Sequence, residues 1–76
     1  MSERYEIVKA MHTIIKSMNN ENAYMRWIYI VPDEASNEDL MDIAQSDELF
    51  ADTCNAFKSI FTDYKAGGLY VDKKVW

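Results

Sequence analysis

Ile7, Val8, Met11, Ile14, Ile15 and Met18 recur at the i, i+1, i+4, i+7, i+8, i+11 spacing of one helical face, while Glu6, Lys9 and Lys16 fall elsewhere on the wheel. The pattern predicts a first amphipathic helix. Ser2 stands at the position of an N-cap, and Glu3 sits near the positive end of the helix dipole. The cluster Asn19, Asn20 and Asn22 stops the helix near Asn19, because asparagine competes for local backbone bonds and tolerates left-handed geometry.

The stretch from Ala23 to Val31 reads two ways. Tyr24, Trp27, Ile28 and Val31 suit a helix, whereas Met25, Trp27, Tyr29 and Val31 suit one face of a strand. Helix is the expectation, with Asn22 as its N-cap and Pro32 ending it by biasing Val31 away from helical angles. Such a helix is apolar nearly all round, broken only by Arg26. It is therefore expected to be sandwiched by its neighbours or partly exposed as a contact surface.

After Pro32 the periodicity gives way to an acidic loop. Ser36 and Asp39 then have the spacing of a capping box ahead of Leu40, Met41, Ile43 and Ala44, which predicts a short third helix. Ser46 precedes Asp47 and Glu48, residues suited to another helix start, and the stripe Leu49, Phe50, Cys54, Phe57, Ile60, Phe61 and Tyr64 predicts a long fourth helix. Gly67 and Gly68 stop it, since glycine adopts the left-handed C-terminal geometry without steric penalty. Leu69 to Trp76 is an apolar tail, expected to run extended across the bundle with Leu69 or Tyr70, and Trp76, closing the core. The expected fold is thus all-α, a small bundle of about four helices with an extended C-terminal tail, forming one helical domain over residues 1–76.

At 76 residues, folding hides only about 60% of the surface that the unfolded chain exposes, so the core must be used efficiently. Two Trp, five Tyr and three Phe are difficult to enclose together with the aliphatic stripes in so short a chain. Some aromatic surface is expected to stay available for a protein partner or for a second copy, which makes a homodimer one expectation. Tyr24, Trp27, Tyr29, Tyr70 and Trp76 are of the types that dominate interface hot spots, although core packing accounts for such residues equally well. Cys54 is the sole cysteine, so no internal disulfide forms and a reducing, cytoplasmic setting is expected. The acidic N-terminus is unlike a signal peptide, and no apolar run has the length of a membrane span.

Charge adds an asymmetry that the periodicity does not show. The net charge is −5, yet between Arg26 and Lys58 stand Asp33, Glu34, Glu38, Asp39, Asp42, Asp47, Glu48 and Asp52 without a single Lys or Arg. A one-signed surface steers encounters and repels like-charged partners, though it also serves plain solubility. Direct nucleic-acid binding is disfavoured, because it depends on neutralising phosphates and the cations here are few and divided between the two ends. The acids could instead imitate a phosphate backbone and fill the groove of a nucleic-acid-binding protein. Against that reading, Asp39, Asp47 and Glu48 are already explained as helix-start residues.

No catalytic or cofactor motif appears, and neither cofactor nor metal is expected. His12 shares a helix with Met11 and Ile15 and has no Cys or carboxylate at a diagnostic ligand spacing. Cys54 lies on an apolar stripe, where a thiol behaves as a small hydrophobe. An enzyme built around His12 or Cys54 would need carboxylates from separate helices to converge on them. The acidic run from Asp33 to Asp42 lacks the glycine and terminal glutamate of a calcium-binding EF-hand loop. The glycine pair follows a helix instead of leading into one, which disfavours phosphate binding.

The opening Ser2-Glu3-Arg4-Tyr5-Glu6-Ile7-Val8-Lys9-Ala10-Met11, the Trp27 segment with its acidic loop, and the closing Gly67-Gly68-Leu69-Tyr70-Val71-Asp72 resemble small Firmicutes proteins carried on conjugative or phage-like mobile elements. That resemblance implies no particular activity, only an accessory or adaptor role in a bacterial cytoplasm. The functional expectation is a small acidic protein-interaction module without catalytic activity. Its expected contact residues are Trp27, Tyr29, Asp33, Glu34, Glu38, Asp39, Asp42 and Trp76.

Overall fold

The computed structural model describes residues 3–66, which form four helices in the order α1 (Glu3–Ser17), α2 (Glu21–Trp27), α3 (Asn37–Gln45) and α4 (Asp47–Lys65), with no strand among the described residues. The expected all-α bundle is therefore what the chain builds. Ser2, the Gly67-Gly68 pair and the tail from Leu69 to Trp76 lie outside the described residues.

Each turn between helices follows from local chemistry. Asn19 takes a φ of 56°, the left-handed geometry that asparagine tolerates better than most residues, and ends α1. Asn20 is extended and its side-chain oxygen accepts the Ala23 N–H at 3.1 Å, so the N-cap of α2 is Asn20 and not the expected Asn22. The second helix is also shorter than expected, ending at Trp27 instead of Val31. Beyond it the N–H groups of Ile30 and Val31 both return to the Trp27 carbonyl at 3.1 Å. Ile28, Tyr29, Ile30 and Val31 are β-branched or aromatic residues of modest helix propensity, and Pro32 disfavours helical angles at Val31, so the helix closes early.

Ser36 and Asp39 form the expected capping box, with the Asp39 N–H donating to Ser36 Oγ at 3.2 Å and the Ser36 N–H to Asp39 Oδ2 at 3.0 Å. Ser46 serves two helices at once. Its N–H donates to the Ile43 carbonyl at the end of α3, and its Oγ accepts the Leu49 N–H at the start of α4.

The core forms where α1 packs on α3 and where α2, α3 and α1 meet α4. Val8, Ile15, Trp27, Val31 and Ile60 are essentially sealed from solvent. The buried face of α1 is rotated from the expected stripe. Tyr5 and His12 turn inward with Val8, Met11 and Ile15, while Ile7 and Ile14 stay on the flank, 39% and 40% exposed. Both inward polar residues have partners: the Tyr5 hydroxyl donates to Asn37 Oδ1 at 3.1 Å, and His12 accepts from Trp27. In α4 the sealed positions are Ile60 and Thr53, whose hydroxyl donates to the Leu49 carbonyl at 2.7 Å and so enters the core with its polar group satisfied.

Two cations stitch the helices on the outside. Arg4 pairs with Asp47 at 2.7 Å and lies over the Phe50 ring, joining the start of α1 to that of α4. Arg26 pairs with Asp63 at 2.7 Å and donates to Ser59 Oγ at 2.9 Å, joining α2 to α4. Exposed pairs of this kind contribute about 0–1 kcal/mol each, so they align helices that the core has already brought together.

Candidate functional site

The residues expected to meet a partner are sorted by the fold into different environments. Trp27 is removed from the set, because none of its surface is exposed. Its indole N–H donates to His12 Nδ1 at 2.9 Å, its ring stacks near that imidazole, and the Phe57 ring meets it edge-on at 6.2 Å. A tryptophan with its polar atom engaged and its ring enclosed is a core anchor, whose truncation to alanine in a typical protein costs about 3–5 kcal/mol. Only two residues further on, Tyr29 is the opposite case, 90% exposed on the turn that follows α2.

The loop beyond Tyr29 is tied back to the helix it leaves. The Tyr24 hydroxyl lies against both the backbone carbonyl of Asp33, at 2.8 Å, and the Asp33 carboxylate. That hydrogen bond to Asp33, with partial burial and the negative charge of Asp33 and Glu34, holds the Tyr24 hydroxyl above its usual pKa. The tie presents Glu34 at the surface beside Asp33.

On α3, Leu40, Ile43 and Ala44 are buried, while Glu38 and Asp42 are exposed one turn apart on the opposite side. Asp39, between them in sequence, is half-buried and engaged in the capping box, so its carboxylate is structural. On the fourth helix, Thr53 turns inward and Glu48 and Asp52 are exposed one turn apart on the flank. Their place is legible only once the buried side of α4 is known to centre near Thr53. Asp47 is taken by Arg4. Among the described residues Glu34, Glu38, Asp42, Glu48 and Asp52 have no ion-pair partner. Trp76 lies outside the described residues.

The groups with potential for chemistry sit elsewhere. Accepting the Trp27 N–H at Nδ1 places the imidazole proton on Nε2 and favours the neutral ring. Burial lowers the His12 pKa below its ordinary value, as does the charge of Lys16, while Asp33 acts in the opposite sense. Cys54 is a half-buried free thiol packed against the core. An open depression of about 410 Å³ lies where α1 passes into α2, lined by Ile15, Lys16, Asn19, Asn20, Glu21 and Tyr24, and neither His12 nor Cys54 contributes to it. Among the described residues no group of three His, Cys, Asp or Glu side chains is placed to hold a metal ion. No helix among them is long and apolar enough to cross a membrane.

The Trp27–His12 pair is the feature that sequence reasoning missed. Its signal was present: His12 stands four residues after Val8 and three before Ile15, and a buried tryptophan requires an acceptor for its N–H. Compared with models of protein families, with curated proteins and with solved structures, the chain finds no match.

Proposed function

We infer that the chain is a small non-catalytic interaction module whose acidic outer surface meets a basic surface on another protein. The observation that carries this reading is the pair of carboxylate couples without an ion-pair partner among the described residues, Glu38 with Asp42 opposite the buried side of α3 and Glu48 with Asp52 exposed on the flank of α4, each couple one turn apart. Like charges at that spacing destabilise a helix by about 0.2–0.5 kcal/mol per couple, and a lysine at one position of each would remove the penalty. Repulsion kept at a cost in stability fits a surface whose task is to meet cations. Tyr29, exposed on the loop that leads to Asp33 and Glu34, supplies an aromatic anchor of the kind that concentrates binding energy. The engagement of His12 by Trp27 supports a packing role for the one imidazole. An accessory or adaptor duty on a bacterial mobile element is the setting that the sequence resemblance implies.

The test is recovery of bound protein from the native host with the full chain as bait, followed by affinity measurement on the partner obtained. Wild-type affinity is expected to fall steeply as salt rises, because exposed charges are screened beyond about 8–10 Å at physiological ionic strength. Glu38→Lys with Asp42→Lys is expected to weaken binding at least tenfold, and Tyr29→Ala to weaken it without changing the salt slope. Asp39 is left intact so that the capping box survives. Affinity indifferent both to salt and to the double reversal overturns the reading.

A further inference from the structure

Arg4 and Trp27 fix how α1 and α4 lie against each other. Arg4 reaches Asp47 and the Phe50 ring near the start of α4, and Trp27 meets both His12 and Phe57, so the two helices run side by side in the same direction. At about 3.6 residues per turn, Lys58 and Lys65 fall in line with Asp47, and Phe61 with Phe50. All three therefore stand further along the side of α4 that Arg4 touches. On α1, Ile7 and Ile14 lie two turns apart beside Arg4 and away from Tyr5, which faces α3 through Asn37. The outer side of the α1–α4 pair is thus an apolar face of Ile7, Ile14 and Phe61, each more than a third exposed. Its opposite corners carry opposite charge. Glu3 and Glu6 border it on α1 at one end and Lys58 and Lys65 on α4 at the other, all four exposed and none with an ion-pair partner among the described residues.

We propose that a second copy of this chain docks on this face. The face is complementary to itself. A two-fold axis lying in it, at right angles to the line between the charged corners, sets the Glu3 and Glu6 corner of each copy against the Lys58 and Lys65 corner of the other. Both charge contacts then form at once, and Ile7 of each copy is brought to Phe61 of the other. A partner of one sign would match one corner and repel the other. The expected dimer is a weak one: α1 is about 22 Å long and helix axes pack about 8–10 Å apart, so the face covers roughly 400 Å² per copy, at the small end for specific interfaces. Glu48 and Asp52 lie further round α4, beyond Lys58, and stay exposed in the dimer. The proposal does not rest on the acidic surface having a partner.

Sedimentation of the full chain from about 1 µM to about 1 mM, the range of weak association, is expected to show the mass rising from one chain to two and stopping there, because a two-fold contact closes on itself. Isotope-filtered NMR on mixed labelled and unlabelled chain is expected to show Ile7 methyl contacts to the Phe61 ring of a different molecule. Two charge-reversed chains then test the corners. Glu3→Lys with Glu6→Lys sets lysine against lysine in a self-pair, and Lys58→Glu with Lys65→Glu sets acid against acid, so each alone is expected to raise the dimer dissociation constant about tenfold or more. The first reversal also reduces the net negative charge, which by itself favours association, so a lost dimer reports the corner. Mixed in equal amounts, the two variants restore both contacts, and affinity is expected to return to within about threefold of the wild type. Helical circular dichroism checks that each variant folds; should one unfold, the filtered NMR contact in the wild-type chain carries the test. A single-chain mass across the whole range, a dimer without the contact from Ile7 to Phe61, or a mixture no tighter than either reversed chain alone overturns the proposal.

Discussion

At the scale of single residues, the Trp27–His12 hydrogen bond is the most consequential contact in the core. It satisfies the one polar atom of the largest sealed side chain, and it does so with a group that titrates. Because burial, and then Lys16, hold His12 below its ordinary pKa of 6.5, the folded chain resists a proton that the unfolded chain accepts. Above pH 6.5 both states are neutral at this position and the group contributes no pH dependence. As pH falls through 6.5 the unfolded state is favoured, and stability declines down to the folded-state pKa. Urea unfolding is therefore expected to show a midpoint that drops between pH 7 and 5, and His12→Gln is expected to flatten that drop. Trp27→Phe, which keeps a ring but leaves Nδ1 unpaired, is expected to cost about 1–3 kcal/mol at pH 7. An identical pH slope in the wild type and His12→Gln would show that His12 is not the group responsible.

At the scale of elements, the bundle depends on short side chains at its corners. Ser36 and Ser46 each satisfy an N–H that the first turn of a helix leaves open, and Ser46 also ends α3 through its own N–H. One residue therefore sets the turn between α3 and α4. Ser46→Ala is expected to destabilise the chain by about 1 kcal/mol, read as a lower urea midpoint at unchanged m-value. A shift in m would mean that the α3–α4 corner itself had opened. The starts of α3 and α4 were legible from Ser36, Asp39 and Ser46 because capping is local chemistry with a local spacing. The end of α2 was not, because Ile28 to Val31 is apolar enough to continue a helix, and Val31 is buried whether helical or not. Hydrophobicity reports burial there without reporting the backbone that achieves it.

At the scale of the whole molecule, exposed charge and core share the same helices, on opposite sides of α3 and on adjoining sides of α4. Asp42→Asn with Asp52→Asn removes a carboxylate from each outer couple, and is expected to stabilise the fold by about 0.2–0.5 kcal/mol per couple at low salt. The gain, measured by thermal unfolding, is expected to shrink as salt rises, since screening already weakens the repulsion. Under the proposed function, the same substitutions are expected to weaken association with a basic protein surface. Stability gained and affinity lost in one variant is the signature of charges kept for recognition, whereas stability lost would show that these carboxylates support the fold.

The sequence by itself determined the helical class, the left-handed stop near Asn19, the capping box and the one-signed charge of the middle third, all of which depend on spacings within a turn or two of chain. The tertiary structure decided which side of each helix is inside. It placed His12 in the core because Trp27 on another helix was there to satisfy it, and left Ile7 and Ile14 on the flank. It also separated Trp27 from Tyr29, two aromatic residues with similar sequence credentials, into an anchor and an exposed ring. A polar side chain is costly to bury only when it lacks a partner, and partners more than a turn or two away exist only after the chain has folded.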